Sequence, residues 1–190
     1  MQTAKSGIRV LGIAESFTRS AKKSFFAGVV MRKDKIIDGV AFSTATVGGM
    51  DATDTVIDIF TKLSRKDLHC IMLSGCIVSW FNIIDIEEIH KKTGFPVICA
   101  TYENSEGIET KINKYFPGDS DRLLKYKNTG IREKFQLKTG FYIYLRCSGI
   151  SFKDAGWLCN AFTLQGRIPE PLRVAGLLAH ASSDFTIVEE

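Results

Sequence analysis

Hydrolysing a phosphodiester with divalent metals needs several carboxylates converging within a few ångströms. Few acids in this chain stand where they could converge. Glu15 follows the apolar run Ile8 to Ile13, in a segment otherwise devoid of acids up to Asp34. Asp51 and Asp54 open a helix-periodic stretch, and Asp85, Glu87 and Glu88 lie early in another. Glu15 and Asp51 are the candidates for catalysis and for metal. The plainer alternative for Asp51 is a helix N-cap, with Asp54 favoured by the helix dipole, and the second acidic group has the same explanation. Where two central strands would end stand Ala14 and Ser74. Neither carries a metal-binding charge, but Ser74 with Gly75 suits a phosphate oxygen. Trp80-Phe81 is either core or a stacking platform for an unpaired base. Lys22, Lys23 and the two arginines of GRIPEPLR, Arg167 and Arg173, are candidates for phosphate contact. Glu87 and His90 form an E-x-x-H pair, but di-metal bundles need ligands from further helices. No G-x-G-x-x-G, P-loop or G-x-S-x-G motif occurs.

These residues are held by a βαβ unit from His69 to Thr101. Cys70 to Leu73 reads as a buried strand stopped by Ser74-Gly75. Asn82 opens a helix with Asp85 three residues on, Ile83, Ile86 and Ile89 share a face, and Gly94 closes it. Phe95 to Thr101 is the second strand, parallel to the first. Ligands of such sheets bind beyond the carboxyl ends of the strands, which points to Ser74, Gly75 and the loop Cys76 to Phe81.

Before this unit, Ile8–Ile13, Phe25–Met31 and Ile36–Phe42 read as three strands, the last two a hairpin about Asp34-Lys35. Ser43 to Met50 is a Thr- and Gly-rich break. A helix starts at Asp51, with Val56, Ile59, Phe60 and Leu63 on one face. After the unit come a helix over Glu106–Phe116 and a charged stretch, 117–140, that is either a mobile excursion or a helical insert. A strand over Phe141–Cys147 follows, then a helix from Ser151 to Gly166 burying Ala155, Leu158, Cys159 and Phe162, and a last helix from Pro169. A three-strand meander, a helix, then parallel strands is the ribonuclease-H-like order. It predicts a single α/β domain over 1–190 with a mixed sheet of five or six strands, order 3-2-1-4-5, flanked by helices.

The totals agree with an ordinary globular protein: 190 residues, 45% hydrophobic, 24% charged, net charge +4. No apolar run approaches the ~18 residues of a membrane span, and the start lacks a signal peptide's apolar core. An intracellular, cytoplasmic protein is expected. Five scattered cysteines without a C-x-x-C pair read as free thiols. Residues 1–35 carry eight lysines and arginines against Glu15 and Asp34, which is either solvated surface or a phosphate-binding face at the ends of strands one and four.

Several segments together resemble one family: IRVLGI at 8–13, DGV at 38–40, GMDAT at 49–53, IMLSG at 71–75, FNIIDIEEIH at 81–90, TGFPVI at 93–98 and GRIPEPLRVA at 166–175. They resemble the mostly archaeal endonuclease dU family, which is similar in fold to endonuclease V, an enzyme that nicks DNA near deaminated bases. The resemblance implies a magnesium- or manganese-dependent endonuclease acting on single-stranded or lesion-bearing DNA, in DNA repair. The family pattern puts Asp at Ala14 and Asp-Gly at Ser74-Gly75, with its third acid on Asp51. Glu15 would then have to stand in for a missing acid and activity would be weakened; the alternative is a relative that binds nucleic acid without cutting it.

Overall fold

The computed structural model describes residues 7–104 and 107–187. The strands are β1 (Arg9–Ser16), β2 (Lys23–Arg32), β3 (Ile37–Thr46), β4 (Cys70–Ser74), β5 (Ile77–Val78), β6 (Asn82–Ile83), β7 (Val97–Thr101), β8 (Glu133–Gln136) and β9 (Tyr142–Ser148). The helices are α1 (Ala52–Leu63), α2 (Ile86–Thr93), α3 (Glu109–Tyr115), α4 (Ser120–Lys127), α5 (Phe152–Phe162) and α6 (Glu170–Ile187). One mixed sheet runs β3-β2-β1-β4-β7-β9-β8, with β1, β4 and β7 parallel and the other pairings antiparallel. The expected order of the first five strands is therefore present. The sheet has seven strands rather than five or six, because β9 and β8 extend it past β7. The 117–140 stretch supplies helix α4 and edge strand β8.

Alternation along β1 decides where the site residues point. Leu11 and Ile13 pack in the core layer that includes Val56 and Ile59 of α1 and Ile86 and Ile89 of α2. Val10 packs in the opposite layer, with Leu158 and Phe162 of α5 and Leu172 of α6. Both layers are apolar, and each fully buried aliphatic side chain contributes roughly 1.5–3 kcal/mol. Gly12 lets α6 sit on β1: a Cβ there would come within 2.6 Å of Pro171. Ala14 continues that side, packed with Val29 and Ala175.

Two helix starts differ from expectation. Asn82 lies in β6, paired with Val78, and Asp85 is the N-cap of α2, accepting from the amides of Glu87 and Glu88 at 3.0 Å each. Asp51 occupies the cap position of α1 but its side chain makes no cap bond. Helix α3 is shorter than the Glu106–Phe116 expectation, of which Glu106 lies outside the described residues. Helix α5 stops at Phe162, before Gly166. Ser151 caps it as expected, its hydroxyl accepting from the Asp154 amide.

Candidate nucleic-acid interface

Successive strand residues face opposite sides of a sheet. Ala14 and Ser74 follow the aligned pair Ile13 and Leu73 on neighbouring strands. By alternation both point to the α5–α6 side, while Glu15 points to the α1 side. Glu15 thus leaves β1 on the side of the sheet away from Ala14 and Ser74. Its Oε1 accepts from the Ser79 amide at 3.1 Å, and its Oε2 is buried without a partner. Burial pushes its pKa above the usual carboxylate range, against the lowering effect of the Ser79 hydrogen bonds.

Asp51 is fully engaged. Oδ1 accepts from Asn82 Nδ2 at 2.7 Å and the Thr46 amide at 3.0 Å; Oδ2 accepts from Thr46 Oγ1 at 2.8 Å and from the same amide at 3.0 Å. Burial alone would raise its pKa, but the bonds from Thr46 and Asn82 outweigh that and hold it below the usual value. The carboxylate ties the end of β3 to β6, the work of a structural brace. Asp51→Asn turns an acceptor into a donor facing two donors, and is expected to cost about 1–3 kcal/mol in urea unfolding at neutral pH. A folded-state pKa below the unfolded one stabilises above the unfolded pKa and loses that contribution as pH falls through the folded value. The gap between wild type and variant should thus narrow in acid, below about pH 4.

Between β5 and β6, Ser79, Trp80 and Phe81 take φ of 43°, 60° and 64° in succession. Non-glycine residues pay for such backbone and keep it only under surrounding restraint. Ser79 is restrained by Glu15, by the Gly48 amide on its carbonyl and by Ser24 Oγ. Buried Arg122 of α4 donates to the carbonyls of Phe81, Gly48 and Gly49 and pairs with Asp119 at 2.9 Å. Trp80 packs against Phe81 and Tyr115, and the Arg19 guanidinium lies 4.1 Å from its ring centre. Its ring is thus occupied by protein on more than one side, and a stacked base would have to compete with Arg19.

The expected basic face divides. Arg9 and Arg32 are paired across the start of β1 and the end of β2, at the opposite end of the sheet from Glu15, and Arg9 is bound to Asp38 at 2.6 Å. Lys22 and Lys23 are exposed at the Glu15 end, where Lys23 donates to Thr46 Oγ1 at 3.0 Å. Arg173 is held by Glu170 at 2.7 Å. Lys5 lies outside the described residues. Window-counting of charge cannot tell the two ends of a strand apart, so the single face is corrected to separate groups.

A cavity of about 420 Å³ opens at the carboxyl ends of β4 and β7. It brings together Ser74, Gly75 and Arg167, named from the sequence, with Arg132 of the basic 117–140 stretch and with Tyr102 and Arg146, which the sequence did not single out. The available signal was an arginine inside the alternating strand YIYLRCS. Lys22, Lys23, Trp80 and Arg173 do not line it. Among the described residues no three His, Cys, Asp or Glu side chains group closely enough to hold a metal ion. With Asp51 engaged by four donor contacts and Glu15 on the other side of the sheet from Ser74, the residues present do not fit the magnesium or manganese centre that the family pattern implies.

A family model described as Endonuclease dU matches residues 6–183. A UPF0215 protein of Pyrobaculum aerophilum is 39% identical over 176 residues, covering 92% of this chain and 94% of that one. A crystal structure of a protein of unknown function from Archaeoglobus fulgidus superposes with TM-score 0.81 at 25% identity, covering 92% of this chain and 98% of that one. Endonuclease V of Ciona intestinalis, solved with a 24mer DNA containing an inosine followed by a ribo-adenosine, superposes with TM-score 0.63 at 15% identity, covering 95% and 87%. The fold is that of endonuclease V, ribonuclease-H-like.

Proposed function

The chain belongs to the endonuclease dU family, and from that premise we propose that it binds nucleic acid, single-stranded or lesion-bearing DNA, without metal-dependent cleavage. One observation carries the reading. Where the family pattern has carboxylates, this chain has Ala14 and Ser74, and Ser74 lines a cavity with three arginines. An acidic site at that place would repel phosphate unless metal ions intervened; an arginine-lined one attracts phosphate directly. The DNA bound to the Ciona endonuclease V supports nucleic acid as the ligand class. The rival reading is magnesium-dependent nicking at deaminated bases, with Glu15 and Asp51 as ligands. It loses support because Asp51 braces β3 to β6 and Glu15 is desolvated beside Ser79.

Arg146, Arg167 and Arg132 hold a strand by its phosphates in this reading, with Lys22, Lys23 and Arg19 extending the contact along the sheet end. Neutralising phosphates releases counterions, so affinity depends on salt. With three to four of these six cations on phosphates at once, single-stranded DNA is expected to bind roughly 20- to 50-fold more weakly at ~200 mM than at ~50 mM salt. Fluorescence anisotropy with a labelled oligonucleotide measures this. Affinity unchanged over that range would overturn the phosphate-based mode.

A further inference from the structure

We infer that the cavity at the ends of β4 and β7 is a receptor for a phosphomonoester, carried either by a free nucleotide or by the terminus of a strand. The inference rests on the nucleic-acid reading only for what carries the phosphate.

Charge is the first argument. The charged residues lining the cavity are Arg132, Arg146, Arg167 and Glu103, a balance of two positive charges. An internal phosphodiester carries one negative charge, whereas a phosphomonoester carries about −1.5 to −2 near neutral pH. Glu103 does little to cancel its neighbours. Its side chain is 84% exposed and stands 3.8 Å from Arg167, a contact screened by solvent.

Unused hydrogen-bonding capacity points to the same ligand. Arg146 is only 8% exposed, and its Nε donates to the Gly130 carbonyl at 3.1 Å. Among the described residues none accepts from its two terminal nitrogens or pairs with it as a carboxylate, and a guanidinium this buried ordinarily has such a partner. The Tyr102 hydroxyl is buried and unpartnered, with Ser74 beside it but outside hydrogen-bond geometry. Buried polar atoms without partners call for a ligand or ordered water. Arg167 is pre-positioned, its Nη1 donating to the Tyr102 carbonyl at 2.6 Å. Arg146 stands level with Cys99, on the opposite side of the sheet from Ser74 and Tyr102, so a phosphate seated beyond the strand ends, where all three line the cavity, offers acceptors to donors from both sides.

Size and lining complete the fit. Ligand cavities run from about 300 to 1,000 Å³, and this one, at about 420 Å³, suits a mononucleotide-sized group. Ile77, Ala100 and the Tyr126 ring give it an apolar wall against which a sugar or base can lie.

The test uses the full chain and matched probes: dUMP against deoxyuridine, and one 12-nucleotide DNA strand with a 5′-phosphate, a 3′-phosphate or neither. Phosphorylated probes are expected to bind about tenfold or more tighter than their unphosphorylated matches, the scale of one charge-assisted contact. Arg146→Gln should abolish the difference and Tyr102→Phe should reduce it. If Arg146→Gln does not fold, Arg167→Gln, at the more exposed wall, should reduce the same difference. Equal binding of phosphorylated and unphosphorylated probes overturns the inference and leaves the nucleic-acid reading standing. A preference for dUMP over deoxyuridine with no binding of any strand supports the phosphomonoester site and overturns the nucleic-acid reading. A phosphate preference that survives in folded variants at both Arg146 and Arg167 overturns the assignment to this cavity.

Discussion

Replacing Arg122 with alanine is expected to destabilise the fold by about 3 kcal/mol, because three turn carbonyls lose a buried, charged donor. Arg122 is 4% exposed and lies on α4, yet its guanidinium reaches the Gly48–Gly49 turn after β3 and the Phe81 carbonyl before β6. Removing it leaves three carbonyls and the Asp119 carboxylate short of a donor. It also removes the cation from the Phe116 ring, whose centre is 3.9 Å away. Arg122→Lys should recover only part of the loss, because one ammonium cannot reproduce a planar fork meeting acceptors on several sides. Urea unfolding at neutral pH measures both. A loss under 1 kcal/mol for the alanine variant would mean that the Ser79–Phe81 turn does not depend on Arg122.

Ala14→Asp, which installs the acid of the family pattern, is expected to cost about 2–4 kcal/mol at neutral pH rather than to restore a site. Ala14 is 7% exposed, packed on Val29 and Ala175 beneath α6, and a carboxylate there is buried without a donor. Burial raises the new group's pKa, so the folded state favours its protonated form. The penalty is then largest above the folded pKa and shrinks as pH falls toward the ordinary aspartate value. Adding Ser74→Asp places a second carboxylate on the same side of a neighbouring strand, about 5 Å away by strand spacing. Without metal the two repel and deepen the loss; Mn²⁺ should return part of it by binding the folded state. Thermal melts across pH, with and without Mn²⁺, read these effects. A fully stable single variant at neutral pH would contradict the packing described for Ala14.

The βαβ unit from His69 to Thr101 was legible because its signals are local: an apolar strand, a periodic helix, Gly94 at its end, then a second apolar strand. Order 3-2-1-4-5 followed from that unit and the preceding hairpin. Strand β8 was not legible, since Glu133, Lys134 and Gln136 are exposed on an edge and carry no alternating pattern. Asn82 was misassigned, and Asp51, though at the expected cap position of α1, turns its side chain to other work for the same reason. Both are capping-type residues before a helical period, yet each satisfies the other across 31 positions of sequence. Asp85 was placed inside α2, whereas it supplies that helix's cap. Proximity in sequence also misled at Glu15, since one residue along a strand is the opposite side of the sheet. Arg122 and Arg146 act on partners up to 74 and 16 residues away, and no local pattern announces such pairings.

The most direct measurement incubates one labelled strand containing uracil, and a second containing inosine, with the protein in Mg²⁺ and in Mn²⁺. Binding and strand scission are followed in the same samples. The expected result is salt-dependent binding of intact strands, with no nick above the protein-free control in either metal. Metal-dependent nicking that Glu15→Gln or Asp51→Asn abolishes in folded protein would contradict it.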